Sequence, residues 1–295
     1  MKAKKSVPTR HGYTSQRLQL SYVDWGNDGA PPLIMIHGGR DHARSWDWVA
    51  AELAGDYHIL AVDLRGHGDS EWTNSATYMV DEFVYDVAEL IHQKDLAPVT
   101  IIAHSLGGII GLRYAGIYPD KVTKVVAIEG LGLGRPRGKL VDEKPVPERY
   151  RNWIRELRDI TTWEERRYET LDGATRRMAE ANAHLSPEQV RHLTEHGTKR
   201  NDDGSYSWKF DHYFFTRFAA PVGIAPGEAH EMWSNIDCPA LLMRGAESWA
   251  SDPEEDGNAA YFKDCTSVTV DNAAHWVHHD QLEVFLGHVR NFLAD

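Results

Sequence analysis

Cysteine is nearly missing from this chain: Cys238 and Cys265 are the only two among 295 residues. That is too few for a disulfide framework or a cysteine-built zinc site. Each comes just before a predicted strand, and two free, buried thiols in a reducing compartment is the simplest expectation. No Asn-x-Ser/Thr sequon occurs. No run approaches 18 consecutive apolar residues, so the chain is not expected to span a bilayer. The opening MKAKKSVPTR has basic residues with no apolar stretch behind them, so no secretory signal is expected and the protein is read as cytoplasmic. Basic residues are outnumbered, 32 Lys and Arg against 44 Asp and Glu, giving a net charge of −12. That balance argues against a nucleic-acid or anionic-membrane partner. Repeats and low-complexity tracts are absent, and 42% hydrophobic with 26% charged residues is ordinary globular usage. The oligomeric state is not legible from the sequence.

What is present is alternation. Leu33–Ile36, Ile59–Val62, Val99–Ile102, Val125–Ile128, Ala240–Met243 and Val268–Val270 are short, rich in β-branched residues and mostly apolar throughout. This is the pattern of strands covered on both faces. Helical patterns lie between them at Ser45–Ala54, Val80–Lys94, Leu106–Tyr118, Glu254–Phe262 and Gln281–Leu293. The two together predict an α/β fold with a mostly parallel sheet flanked by helices. Gln16–Asp24 alternates more and is expected to be an antiparallel edge strand. From about Leu131 to Met232 the composition turns charged and aromatic, with helical periodicity at Glu148–Asp159, Ala174–Ala183 and Pro187–His196 and no strong strand run. Ser186 is placed to cap the last of these, with Pro187 at its first position. The stretch is read as a helical insertion, dividing the chain into a core of residues 1–130 and 235–295 and a cap of residues 131–234.

The segment Val99–Gly108 runs a buried strand into Ser105 and starts an amphipathic helix directly after it. A serine at such a corner sits on a sharp, strained turn that tolerates only small residues two positions away, here Ala103 and Gly107. The turn lifts the hydroxyl above the sheet, beside a helix N-terminus where the Leu106 N–H can stabilise a developing oxyanion. A plain helix-capping serine is the alternative for this segment taken alone.

In order along the chain stand His37-Gly38-Gly39, Asp63-Leu64-Arg65-Gly66-His67-Gly68-Asp69-Ser70, Ala103-His104-Ser105-Leu106-Gly107-Gly108 and Ala274-His275-Trp276. With these motifs the sequence resembles the α/β-hydrolase superfamily from about Gln16 to the C-terminus, apart from the insertion. It departs at Ala103, where glycine is commoner. The resemblance implies an eight-stranded core with a cap inserted after the sixth strand.

Ser105 needs a general base, and His275, just after the last strand, is selected from 16 histidines by that position. Its neighbours His278 and His279 raise a metal site, set aside because no HExxH-like helix accompanies them. No metal and no cofactor is expected. Gly39 is the second oxyanion donor, opposite Leu106, because paired glycines let backbone approach a substrate oxygen closely. His37 and Asp63, which also end strands, are expected to brace loops.

The acid is the contested position. In most proteins of the superfamily it follows the seventh strand, which here puts Ser248 at its place. Serine cannot balance an imidazolium charge. Glu129 ends the sixth strand at the catalytic edge, where a buried carboxylate needs a partner, and is the favoured acid. Glu247 and Asp252 remain alternatives, although Asp252-Pro253 also reads as the cap of a helix. Gly132-Leu133-Gly134-Arg135-Pro136-Arg137-Gly138 is not a dinucleotide loop, since its spacing is wrong and Pro136 interrupts it. Arg149, Arg151, Arg155 and Arg158 alternate with acidic residues and read as a solvated helix face.

The resulting expectation is a cofactor-independent serine hydrolase of a small carboxylic ester or lactone, with an apolar or aromatic substrate under the cap. A non-hydrolytic receptor, or a lyase on the same scaffold, is the alternative.

Overall fold

The apolar runs form strands in a computed structural model that describes residues 7–75, 77–131, 145–214 and 226–294. Eight strands make one sheet: β1 (Thr9–Ser15), β2 (Leu18–Asp24), β3 (Pro32–Ile36), β4 (His58–Val62), β5 (Val99–His104), β6 (Val122–Ile128) and, after an intervening segment, β10 (Ala240–Gly245) and β11 (Cys265–Val270). Their spatial order is β1-β2-β4-β3-β5-β6-β10-β11. Only β1 and β2 run antiparallel to their neighbours, and the remaining pairs are parallel.

Period-two alternation splits each central strand between two apolar layers. Ile34, Ile36, Leu60, Val62, Ile101, Ala103, Val125 and Leu242 face helices α2 (Val80–Gln93) and α3 (Leu106–Ile117). Leu33, Met35, Ile59, Ala61, Ile102, Val126 and Met243 face α1 (Asp47–Leu53), the short α8 (Val277–Asp280) and α9 (Leu282–Ala294). Both faces are dry, which is why these strands read as continuous apolar runs.

The segment between β6 and β10 holds α4 (Val146–Ile160), α5 (Leu171–Ala181), α6 (Pro187–Gly197) and α7 (Pro226–Ser234). It also contains a small antiparallel sheet ordered β7 (Arg167–Tyr168), β9 (Tyr206–Trp208), β8 (Thr198–Arg200). That sheet corrects the purely helical reading: strands of two or three residues are too short to leave a periodic signal. Ser186 does cap α6, its hydroxyl accepting the Gln189 N–H while the Gln189 side chain accepts the Ser186 N–H.

Two further expectations change. Gln16–Asp24 is not an edge strand. Gln16 and Arg17, with φ of 46° and 74°, turn a hairpin whose outer strand β1 takes the edge. β1 is mostly exposed and carried little pattern. Glu254–Phe262 forms turns and a short 3-10 segment, Asn258–Tyr261, because Gly257 adopts a left-handed φ of 76° in its middle. Of the two free thiols, Cys238 is buried and Cys265 half-buried. Residues 132–138 lie outside the described residues. Among the described residues, no helix is long and apolar enough to cross a membrane.

Candidate active site

Parallel pairing aligns the C-terminal ends of four adjacent strands. His104 of β5 is level with Ile128 of β6, Ile128 with Met243 of β10, and Gly245 with Val270 of β11. The residues that follow these ends therefore emerge along one rim of the sheet: Ser105, Glu129, Ala246–Ser248 and the loop to His275.

Ser105 has φ 52° and ψ −114°, a conformation that costs energy for a residue with a side chain. Its N–H donates to the Ile128 carbonyl at 2.8 Å, which fixes the corner to β6. Space at the corner is closed by Gly107, where any side chain would strike the Ile36 carbonyl. The loop after β3 comes equally close. A Cβ at Gly38 would lie 3.2 Å from the Ser105 Cβ and 2.8 Å from His104 Nδ1. Gly39 follows in that loop, and Leu106 opens α3, where first-turn N–H groups have no intrahelical acceptor.

Glu129 sits at φ 50° just past β6, its N–H bonded to the Met243 carbonyl at 2.8 Å. Its side chain is 0% exposed and fully hydrogen-bonded. Oε1 accepts the Gly245 N–H at 2.9 Å, and Oε2 accepts the Ser248 hydroxyl at 2.5 Å. Oε2 also accepts from His275 Nδ1 at 2.5 Å. With its proton on Nδ1, His275 is left with Nε2 as the basic nitrogen. The imidazole is 26% exposed and lies between the Trp249 ring, at 5.0 Å, and the His104 ring, at 4.7 Å. The loop is held from below, where His104 Nε2 donates to the His275 carbonyl at 2.8 Å and Asp280 accepts the Ala274 N–H at 2.8 Å. Burial, reinforced by the neighbouring His275, keeps His104 neutral, its pKa well below the ordinary imidazole value.

The structure thus brings Glu129 to His275 and puts Ser105 on the adjacent strand. It forms no hydrogen bond between the Ser105 hydroxyl and His275 Nε2. Glu247 lies elsewhere, exposed and 3.4 Å from His184. Asp252 accepts from Glu254 N–H, Thr269 and Arg244, so it organises the turn. Ser248, read in the sequence as a serine at the usual acid position, donates its hydroxyl to Glu129 Oε2. The vacancy of the usual position was the signal that could have found it.

The bracing residues behave as expected. His37 donates from Nδ1 to the Gly38 carbonyl at 2.6 Å and accepts the Leu64 N–H on Nε2 at 3.0 Å. Burial pushes its pKa down to about 4, leaving the neutral ring this dual role requires. Asp63 accepts the N–H groups of Ala43 and Asp69, tying the loops after β3 and β4 together.

The model of the alpha/beta hydrolase family matches residues 33–287. A 3-hydroxybutyrate-oligomer hydrolase of Cupriavidus necator is 28% identical over 253 residues, covering 78% of this chain and 77% of that one. An esterase of Mycobacterium tuberculosis is 27% identical over 287 residues, covering 93% and 86%. Among solved structures, the thioesterase domain from the curacin biosynthetic pathway superposes with a TM-score of 0.84 at 22% identity. It covers 96% of this chain and 99% of that domain, a likeness of fold.

Proposed function

This chain belongs to the alpha/beta hydrolase family, and from that premise we propose that it is a serine hydrolase of small carboxylic esters or lactones, acting through Ser105, His275 and Glu129. One observation carries the reading: a fully buried carboxylate bonds His275 Nδ1 at 2.5 Å on the rim where Ser105 sits on a strained corner. Relatives named as hydrolase and esterase support the reaction class.

In this mechanism the Ser105 hydroxyl attacks the substrate carbonyl carbon while its proton passes to His275 Nε2. Glu129 holds the ring in the productive tautomer and balances the imidazolium charge. The N–H groups of Gly39 and Leu106 stabilise the tetrahedral oxyanion. His275 then protonates the departing alkoxide, leaving an acyl group on Ser105. Water, losing a proton to His275, attacks that acyl group, and the acid leaves as Ser105 regains its proton. No cofactor enters any step. Helix α6, which donates through Gln189 to the His279 carbonyl at 2.9 Å, supports reading the insertion as a cap. Trp249, 56% exposed beside His275, supports an apolar or aromatic substrate. The acidic surface fits a cytoplasmic enzyme of small molecules better than a nucleic-acid or membrane binder.

A fluorophosphonate probe tests this directly. Wild type is expected to be labelled and to cleave short p-nitrophenyl esters, and Ser105→Ala to do neither. Labelling that persists in Ser105→Ala, or an unlabelled and inactive wild type, would favour the receptor or lyase instead.

A further inference from the structure

We propose that Asp47, His192 and His196 form a transition-metal site, best matched to zinc, that staples α6 to the first turn of α1. His192 and His196 stand four residues apart on α6 and so share one face of the helix. Asp47 begins α1 on the facing layer. One donor atom from each of the three lies within 4.8 Å of the others, and His192 Nε2 is already 3.1 Å from Asp47 Oδ2. Ligand atoms of a tetrahedral zinc site are about 3.3 Å apart, given bonds of about 2.0–2.1 Å. Side-chain adjustments of about an ångström therefore close the set. Two imidazoles and one carboxylate favour zinc and its neighbours over magnesium or calcium, which prefer all-oxygen sites. Three protein ligands leave a fourth position for water.

Arg44 competes for the site. Its Nε lies 2.9 Å and 2.7 Å from the two Asp47 oxygens, and a terminal nitrogen is 2.5 Å from Oδ2. Arg44 is 31% exposed against 11% for Asp47, so it has solvent to swing into when a cation arrives. The proton on His192 Nε2, now shared between Asp47 and the Arg44 carbonyl at 3.1 Å, moves to Nδ1 as the metal takes its place. The staple would reach the rim of the sheet. Gln189 on the same helix donates to the His279 carbonyl at 2.9 Å, four residues beyond His275.

The test is titration of zinc chloride into untagged, chelator-stripped protein, followed by calorimetry and melting temperature. At free zinc 100 times Kd the melting temperature is expected to rise by about 4 °C for a chain of this size. His196→Ala and His192→Ala are each expected to weaken zinc binding by about 100-fold or more, beyond the usual loss for an outer-sphere partner. Arg44→Gln is expected to tighten it by about tenfold, because it removes a cation next to the metal. That opposite sign keeps the test decisive even if a histidine variant folds poorly. His58→Ala, in the separate Asp24–Asp28–His58 group, is expected to change nothing. The proposal fails if wild type binds no zinc below about 1 mM. It also fails if binding survives both α6 variants, or is abolished by His58→Ala or His275→Ala while they retain it.

Discussion

At the scale of single residues, the Glu129 carboxylate takes three hydrogen bonds in a space closed to water. Replacing it with glutamine keeps the volume but removes the charge that opposes an imidazolium and disturbs the tautomer of His275. Glu129→Gln is therefore expected to lower kcat by about 10³–10⁴-fold. Asp252→Asn is expected to leave kcat near wild type and to alter mainly the urea midpoint. Ser248→Ala removes one charge-assisted hydrogen bond and is expected to cost about tenfold in kcat/KM. Steady-state kinetics on one ester checks all three, and near-wild-type turnover in Glu129→Gln contradicts the acid assignment. Legibility differed among these residues. Ser105, His275 and Glu129 could be singled out because each follows a strand the sequence announces. Ser248 stands at the usual acid position, which marks it in the sequence, but its partner 119 positions away is set by the fold. His192 and His196 show their shared helix face in the sequence, but Asp47, brought beside them by the fold, does not.

At the scale of elements, the turn between β5 and α3 holds Ser105, the proposed nucleophile, and its tolerance is set by backbone. A methyl group at Gly107 would meet the Ile36 carbonyl, which belongs to a central strand and cannot step aside. Gly107→Ala is expected to destabilise the protein by about 1–3 kcal/mol. It is also expected to slow fluorophosphonate labelling, because relief of the clash moves Ser105. A urea midpoint and a labelling rate equal to wild type would contradict this. The central strands and α2, α6 and α9 were readable because burial on one or two faces imposes a period on the residues, whereas α3 is buried nearly all round. Where burial is slight, as in β1, or the element is only two or three residues long, as in β7 to β9, no period survives. At Glu254–Phe262 the helical pattern was present, and a single left-handed glycine overruled it.

At the scale of the whole molecule, the folded state buries imidazoles. Burial lowers the pKa of His37 and His196 to about 4 and of His42 and His279 to about 3, and sends His104 and His278 further down. An unfolded histidine titrates near 6.5, so on acidification the unfolded chain takes up protons that the folded one refuses. These six groups stabilise the fold above pH 6.5 and withdraw that support as the pH falls toward 4. Asp41 and Asp63, raised by burial to about 7 and about 6, and Asp86 and Asp280, also raised by burial, act in the opposite sense but are fewer. The urea midpoint is expected to be lower at pH 5 than at pH 7.5; a midpoint that rises on acidification contradicts the balance. The proposed placement of the acid at Glu129 has a separate consequence for how such an enzyme could change. Ser105 and Glu129 leave two strands joined rung by rung, so the spacing between them is set by the sheet itself. On that proposal, the stretch from Glu247 to Asp256, except for Ser248, is released from the chemistry. An engineer could randomise it to re-tailor substrate preference while the reactive machinery stays in register.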